Sequence, residues 1–151
     1  MKARELMTKG PKTCEPGHDM LCALRIMKEE DTGVVPVTEG NGEARGVGGV
    51  TDRDIALELG SRDASPSEVK VGDGMSTDVV SVRSDAEVTE VSRRMQEAQV
   101  RRILVVDDGR LVGIISTADL ARASARKEGQ LGEEVENVIE KVSEDTGSAR
   151  P

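Results

Sequence analysis

The chain repeats itself, and a duplication of this kind limits the fold more than any other feature of the sequence. Met7 to Thr38 aligns without gaps onto Met75 to Val106 at an offset of 68, pairing Met7 with Met75, Arg25 with Arg93, Met27 with Met95 and Val37 with Val105. From Gly46 onward the offset is 65, pairing Val47 with Val112, Gly48 with Gly113, Asp54 with Asp119 and Ala56 with Ala121. The first copy therefore carries a loop three residues longer. A module of roughly 60 residues is marginal alone, so two copies are expected to pack together.

Each copy reads as strand, helix, strand, strand, helix, an α+β arrangement (β-α-β-β-α). In the second copy Ser84 and Glu87 have capping-box spacing, and Val88, Val91, Met95 and Ala98 fall on one helical face, which predicts a helix over 85–98. Ile103 to Val106 and Leu111 to Ile115 are β-rich runs around Asp107-Asp108-Gly109-Arg110, where Asp-Gly signals a hairpin. The matching strands of the first copy are Val34 to Val37 and Arg45 to Val50, bracketing Glu39-Gly40-Asn41-Gly42. The expected organisation is a first module over 1–62, a linker over 63–74, a second module over 75–126, and a C-terminal helix and tail over 127–151. In that helix Leu131, Val135, Val138, Ile139 and Val142 mark one apolar face.

Composition narrows function. Lys and Arg total 21 against 29 Asp and Glu, for a net charge of -8. Such an acidic chain is not expected to grip nucleic acid backbones in general. Phe, Tyr and Trp are all absent, so no base-stacking platform can be built and a ring-shaped ligand must lie between aliphatic side chains. No apolar run approaches the roughly 20 residues of a membrane helix. The opening residues lack the apolar stretch of a secretory signal, so a cytoplasmic protein without membrane attachment is expected. Cys14 and Cys22 match neither a redox CxxC nor a zinc knuckle and read as small buried apolar groups. His18 stands alone, as a surface or capping residue, and no metal site is expected.

The same motif closes both copies, where the last strand turns into the last helix. It is Gly48-Gly49-Val50-Thr51-Asp52-Arg53-Asp54 in the first and Gly113-Ile114-Ile115-Ser116-Thr117-Ala118-Asp119 in the second. A hydroxyl with an acid three residues on is a plausible N-cap and nothing more. As a site, the glycine would let a ligand approach the strand, the helix N-terminus would offer amides to a phosphate, and the carboxylate would hold a ribose diol.

The repeat, the Met7-Thr8 and Met75-Ser76 starts and the two Gly-x-x-Thr/Ser-x-x-Asp turns resemble the CBS domain family, in its two-module or Bateman arrangement. The likeness spans about 5–126 and is nearest to small stand-alone CBS pairs. It implies tandem modules related by a pseudo-twofold axis, a homodimer, and a regulatory sensor with an unidentified protein partner. It also implies an adenosine-containing ligand (AMP, ADP, ATP or S-adenosylmethionine) in the cleft between modules, with no obligatory cofactor. Carried over by position, Asp54 and Asp119 would hold ribose, Thr51 and Ser116 would meet phosphate, and Thr13 and Ser81 would contact the base through their backbone. Val34, Val35 and Pro36 would line one base pocket, and Ile103 and Leu104 the other. Arg101 and Arg102 would reach phosphates, with Arg53 a further cation at the first motif. Leu104 stands where Pro36 and the family have proline, so the second pocket differs in shape. No nucleophile with an adjacent base can be assigned, so an enzyme is not expected. The rival readings are a ligand-free dimerisation or interaction module and an unrecognised nucleotide-processing activity.

Overall fold

The computed structural model describes residues 1–40 and 45–126. In chain order the elements are α1 (Ala3–Leu6), β1 (Thr8–Lys9), α2 (Met20–Glu30), β2 (Val34–Glu39), β3 (Arg45–Thr51), α3 (Asp52–Arg62), β4 (Ser81–Val82), α4 (Val88–Ala98), β5 (Arg102–Asp107), β6 (Arg110–Ser116) and α5 (Thr117–Arg126). Single 3-10 turns at Pro66–Glu68 and Val71–Asp73 follow α3. The expected C-terminal helix and the tip of the longer loop lie outside the described residues.

The elements form two compact units, each drawing on both copies of the repeat. One contains Met1–Gly10, Val80–Asp107 and the chain from Val112, and the other Pro11–Val79 with Asp108–Leu111. Strand pairing gives the reason. In the first unit the sheet order is β1-β6-β5-β4, with Thr8 antiparallel to Ile114 and Ser81 parallel to Leu104. In the second, the β2-β3 hairpin is flanked by an antiparallel bridge from Ser76 to Gly49 and a parallel bridge from Cys14 to Val37. Thr8 and Ser76 are equivalent in the repeat, as are Ile114 and Gly49. Each sheet therefore takes its outer antiparallel neighbour, a short strand in one unit and a single bridge in the other, from the opening of the other copy.

Both cores are aliphatic, as a chain without aromatics requires. Val82, Val88, Val91, Met95, Ile103, Val105, Ile115 and Leu120 fill one. Met20, Ala23, Met27, Val35, Val37, Val50 and Ile55 fill the other, together with Cys14, Val69 and Val71. The stretch 63–74, expected as a linker, thus supplies two buried valines. It also holds the start of α2, through the Met20 N–H donated to the Val69 carbonyl at 2.9 Å.

The strands and the hairpin turn match expectation, with Asp108 at φ 51 and Gly109 at φ 77 making the two-residue positive-φ turn that Asp-Gly favours. α4 begins three residues later than expected, and Ser84 does not cap it. Ser84 instead gives its backbone N–H and its hydroxyl to the Asp107 carboxylate, at 3.0 and 2.6 Å, tying the loop to β5. Val88, Val91 and Met95 are buried on the expected face, whereas Ala98 is exposed.

Candidate functional site

The two strand-to-helix corners are built alike. Asp54 N–H donates to Thr51 Oγ1 at 3.1 Å while Thr51 N–H donates to Asp54 Oδ2 at 2.9 Å. At the second corner Asp119 N–H donates to Ser116 Oγ at 3.2 Å, and Ser116 N–H to Asp119 Oδ2 at 2.8 Å. Both motifs are therefore reciprocal capping boxes. The caps occupy Oδ2 of each acid, and Arg122 pairs with the other oxygen of Asp119. The four capping residues are half-buried and keep a face toward solvent.

The glycine that opens each motif does not make room for a ligand. A Cβ on Gly48 would lie 2.8 Å from the Ser76 carbonyl oxygen and closer still to the Met75 methyl. A Cβ on Gly113 would lie 2.7 Å from Met7 Cγ. The space above each glycine is filled by the methionine of the incoming opening segment, so the glycines and the Met-Thr and Met-Ser starts are one packing device.

The helix amides expected to meet phosphate are mostly spoken for. At α3, Asp52 N–H donates to the Gly33 carbonyl at 2.9 Å and Arg53 N–H to the Asp52 carboxylate at 2.8 Å, so with Asp54 all three of the first turn's amides are bonded. At α5, Thr117 N–H donates to the Arg101 carbonyl at 3.0 Å, but Ala118 N–H meets no acceptor among the described residues. Two substitutions between the copies cause this difference. The first corner has Gly33 and Asp52, whose carboxylate lies where a Cβ on Gly33 would be 3.2 Å away. The second has Arg101 and Thr117 instead. One corner carries an extra acid and the other Arg101 and Arg102 at the start of β5, with Arg101 exposed and Arg102 half-buried. Arg53 is exposed at the start of α3.

Period-two alternation divides the expected base-pocket residues. Val35 and Ile103 are core residues at 0% and 1% exposure, so their side chains line no pocket. Pro36 and Leu104 are buried outside the core clusters, and Val34, opposite Thr51 in the hairpin, is half-buried. Thr13 precedes the bridge from Cys14 to β2, and the Ser81 carbonyl accepts from Arg94 Nη1 at 2.9 Å. Gly33 and Arg94 carried no signal in the sequence, because each acts through a neighbour distant along the chain.

His18, Cys14 and Cys22 were expected to be unrelated, and the structure brings them together. Their ligand atoms all lie within 4.8 Å of one another. Burial, and then Cys22 beside it, pushes the Cys14 thiol up to about 12. The regular Cys-x3-His-x3-Cys spacing was the available signal.

A protein-family model for the CBS domain matches residues 3–61 and again 67–126. The chain belongs to the CBS domain family. It is 36% identical over 127 residues to YlbB of Bacillus subtilis, covering 84% of each chain. It is 34% identical over 121 residues to hypoxic response protein 1 of Mycobacterium tuberculosis, covering 80% of this chain and 82% of that one. A crystal structure of hypoxic response protein I with two coordinated zinc ions superposes with a TM-score of 0.69 at 31% identity, over 81% of this chain and 98% of that one. CBSX2 in complex with AMP superposes with a TM-score of 0.69 at 26% identity, covering 83% and 96%. CBS pairs are regulatory modules, and the α+β fold described above is a tandem of two of them. Among the described residues no helix is long and apolar enough to cross a membrane.

Proposed function

We propose that this CBS pair is a non-enzymatic sensor that binds an adenosine-containing nucleotide, of the AMP, ADP, ATP or S-adenosylmethionine type, at its second strand-to-helix corner. The observation that carries the reading is the bond from Thr117 N–H to the Arg101 carbonyl at 3.0 Å, which ties a pair of arginines to a helix start with one open amide. Cations and an unbonded N–H at a helix N-terminus suit a phosphate. The first corner, with Asp52 across its amides, is the poorer anion site. The AMP held by CBSX2 supports the ligand class. In this reading the chain pairs with a second copy, and nucleotide shifts the population of conformers shown to a regulated protein.

The reciprocal caps favour a second reading, a ligand-free interaction module. Calorimetric titration of the full chain with AMP, ADP, ATP and S-adenosylmethionine separates the two. Asp119→Asn keeps an oxygen for the cap but removes charge. It is expected to weaken binding at least tenfold, in line with about 1.5–3 kcal/mol for a charged hydrogen bond, while the loss of the Arg122 pair and of a charge at a helix start costs stability only about 1 kcal/mol. Asp54→Asn is expected to weaken it less. Heat from none of the four ligands, or equal affinity in all variants, rejects the sensor reading.

A further inference from the structure

The Cys14, His18 and Cys22 side chains converge because three separate local structures aim them at one point. Cys14 is locked beside β2, its N–H donating to the Pro36 carbonyl at 3.1 Å and its carbonyl accepting from Thr38 N–H at 2.9 Å. Cys22 sits in the first turn of α2, where its N–H donates to the N-cap Asp19 at 3.0 Å. Between them the chain turns back on itself, and Glu15 N–H donates to His18 Nδ1 at 3.0 Å. That bond uses the single lone pair of an unprotonated Nδ1 and so puts the ring proton on Nε2, which lies 3.5 Å from the Glu15 carboxylate.

We propose that Cys14, His18 and Cys22 form a three-ligand zinc site whose fourth position is open to water. The distances suit a tetrahedral ion. With Zn–S of about 2.3 Å and Zn–N of about 2.0–2.1 Å, tetrahedral angles place two sulfurs about 3.8 Å apart and a sulfur about 3.5 Å from a nitrogen. The Sγ atoms of Cys14 and Cys22 are 3.5 Å apart, and Cys22 Sγ is 3.9 Å from His18 Nδ1. The remaining edge, from Cys14 Sγ to the imidazole, lies within 4.8 Å, so a rotation of the His18 ring toward the two sulfurs completes the geometry. The donor set of two sulfurs and one imidazole selects a soft ion such as zinc over magnesium or calcium.

The surroundings match those of a metal-bound histidine. The Glu15 carboxylate facing Nε2 is the acid-to-imidazole contact that fixes a ligand's tautomer. The His18 side chain is 46% exposed, so an ion can enter from solvent, while Cys14 is fully buried and anchors the site. Binding replaces the thiol protons of both cysteines, which leave to the buffer, and Nδ1 exchanges its bond from Glu15 N–H for the ion. A disulfide would instead need the sulfurs to close from 3.5 Å to about 2.05 Å. The site lies within the unit of Pro11–Val79 and does not depend on nucleotide binding.

The test uses the full chain, chelator-stripped and fully reduced, titrated with zinc against a chromophoric chelator and separately with cobalt. One ion per chain is expected, with a thiolate-to-cobalt charge-transfer band in a near-ultraviolet region that contains no Trp or Tyr absorption. His18→Gln and Cys22→Ala, both at sites open to solvent, are expected to weaken zinc binding by more than the roughly 10–100-fold typical of an outer-shell change. Glu15→Gln should fall within that range. Far-UV circular dichroism checks that each variant is folded, and Cys14, being buried, is left intact. No zinc uptake by the reduced chain, uptake unchanged in His18→Gln and Cys22→Ala, or a cobalt complex without the thiolate band each overturns the site. A Cys14–Cys22 disulfide forming as fast with stoichiometric zinc as without it also overturns it.

Discussion

Gly48 and Gly113 are the residues whose role changed most between sequence and structure, and they support a sharp prediction. Both lie under a methionine of the opening segment, but their neighbours differ in kind. The three atoms nearest a Cβ on Gly113 all belong to the Met7 side chain, whereas Gly48 also faces the backbone carbonyl of Ser76. A side chain can yield and a bridged backbone cannot, so Gly48→Ala should destabilise more than Gly113→Ala. Overpacking of this type typically costs about 1–3 kcal/mol. Met7→Ala should relieve much of the Gly113→Ala loss, while Met75→Ala should relieve little of the Gly48→Ala loss. Urea unfolding followed by circular dichroism measures all four, and equal costs with equal relief would contradict the packing role.

At the scale of elements, the Ser84 contact links the loop before α4 to the end of β5 and has a pH signature. The Ser84 hydroxyl, and then its backbone N–H, hold the Asp107 carboxyl below its ordinary value. A carboxylate depressed in the folded state stabilises fully above its unfolded pKa of about 3.9, and that contribution is lost as pH falls through the lower folded value. Ser84→Ala should therefore cost about 1 kcal/mol at pH 7, the net worth of a hydrogen bond, and lose less further stability than the parent as pH drops below about 4. Urea midpoints at pH 7, 4 and 3 test this, and parallel curves for the two proteins would refute it. The contact also shows where the sequence stops being legible. Periodicity and Asp-Gly chemistry revealed the strands, the hairpin and the buried face of α4, because those signals act within a few residues. Ser84 and Glu87 had cap spacing, but the acceptor that won was Asp107, 23 residues away. The paired motifs at Thr51 and Ser116 were visible, and so was the asymmetry of Arg101 and Arg102. The bond from Asp52 N–H to the Gly33 carbonyl, the core positions of Val35 and Ile103 and the meeting of His18 with two cysteines depend on how segments fold back, which spacing alone does not encode.

At the scale of the molecule, the sequence repeat and the compact unit are different objects. The repeat runs from one Met-Thr or Met-Ser start to the end of the second helix after it, but each sheet is completed by the other copy's start. Cutting the chain at 62 would therefore leave the first copy with β1, which pairs elsewhere, and without Val69, Val71, Met75 and the Ser76 bridge. Val69 and Val71 are 3% and 0% exposed. At about 1.5–3 kcal/mol per fully buried valine, their loss alone approaches the 5–15 kcal/mol that stabilises an ordinary domain. A fragment of residues 11–79 contains the β2–β3 pairing and both bridges, despite being only a few residues longer. The two fragments should behave differently: 11–79 should unfold cooperatively in urea, and 1–62 should show no transition by circular dichroism. If 1–62 folds as well as 11–79, the exchange of opening segments contributes little to stability and the repeat is itself the folding unit.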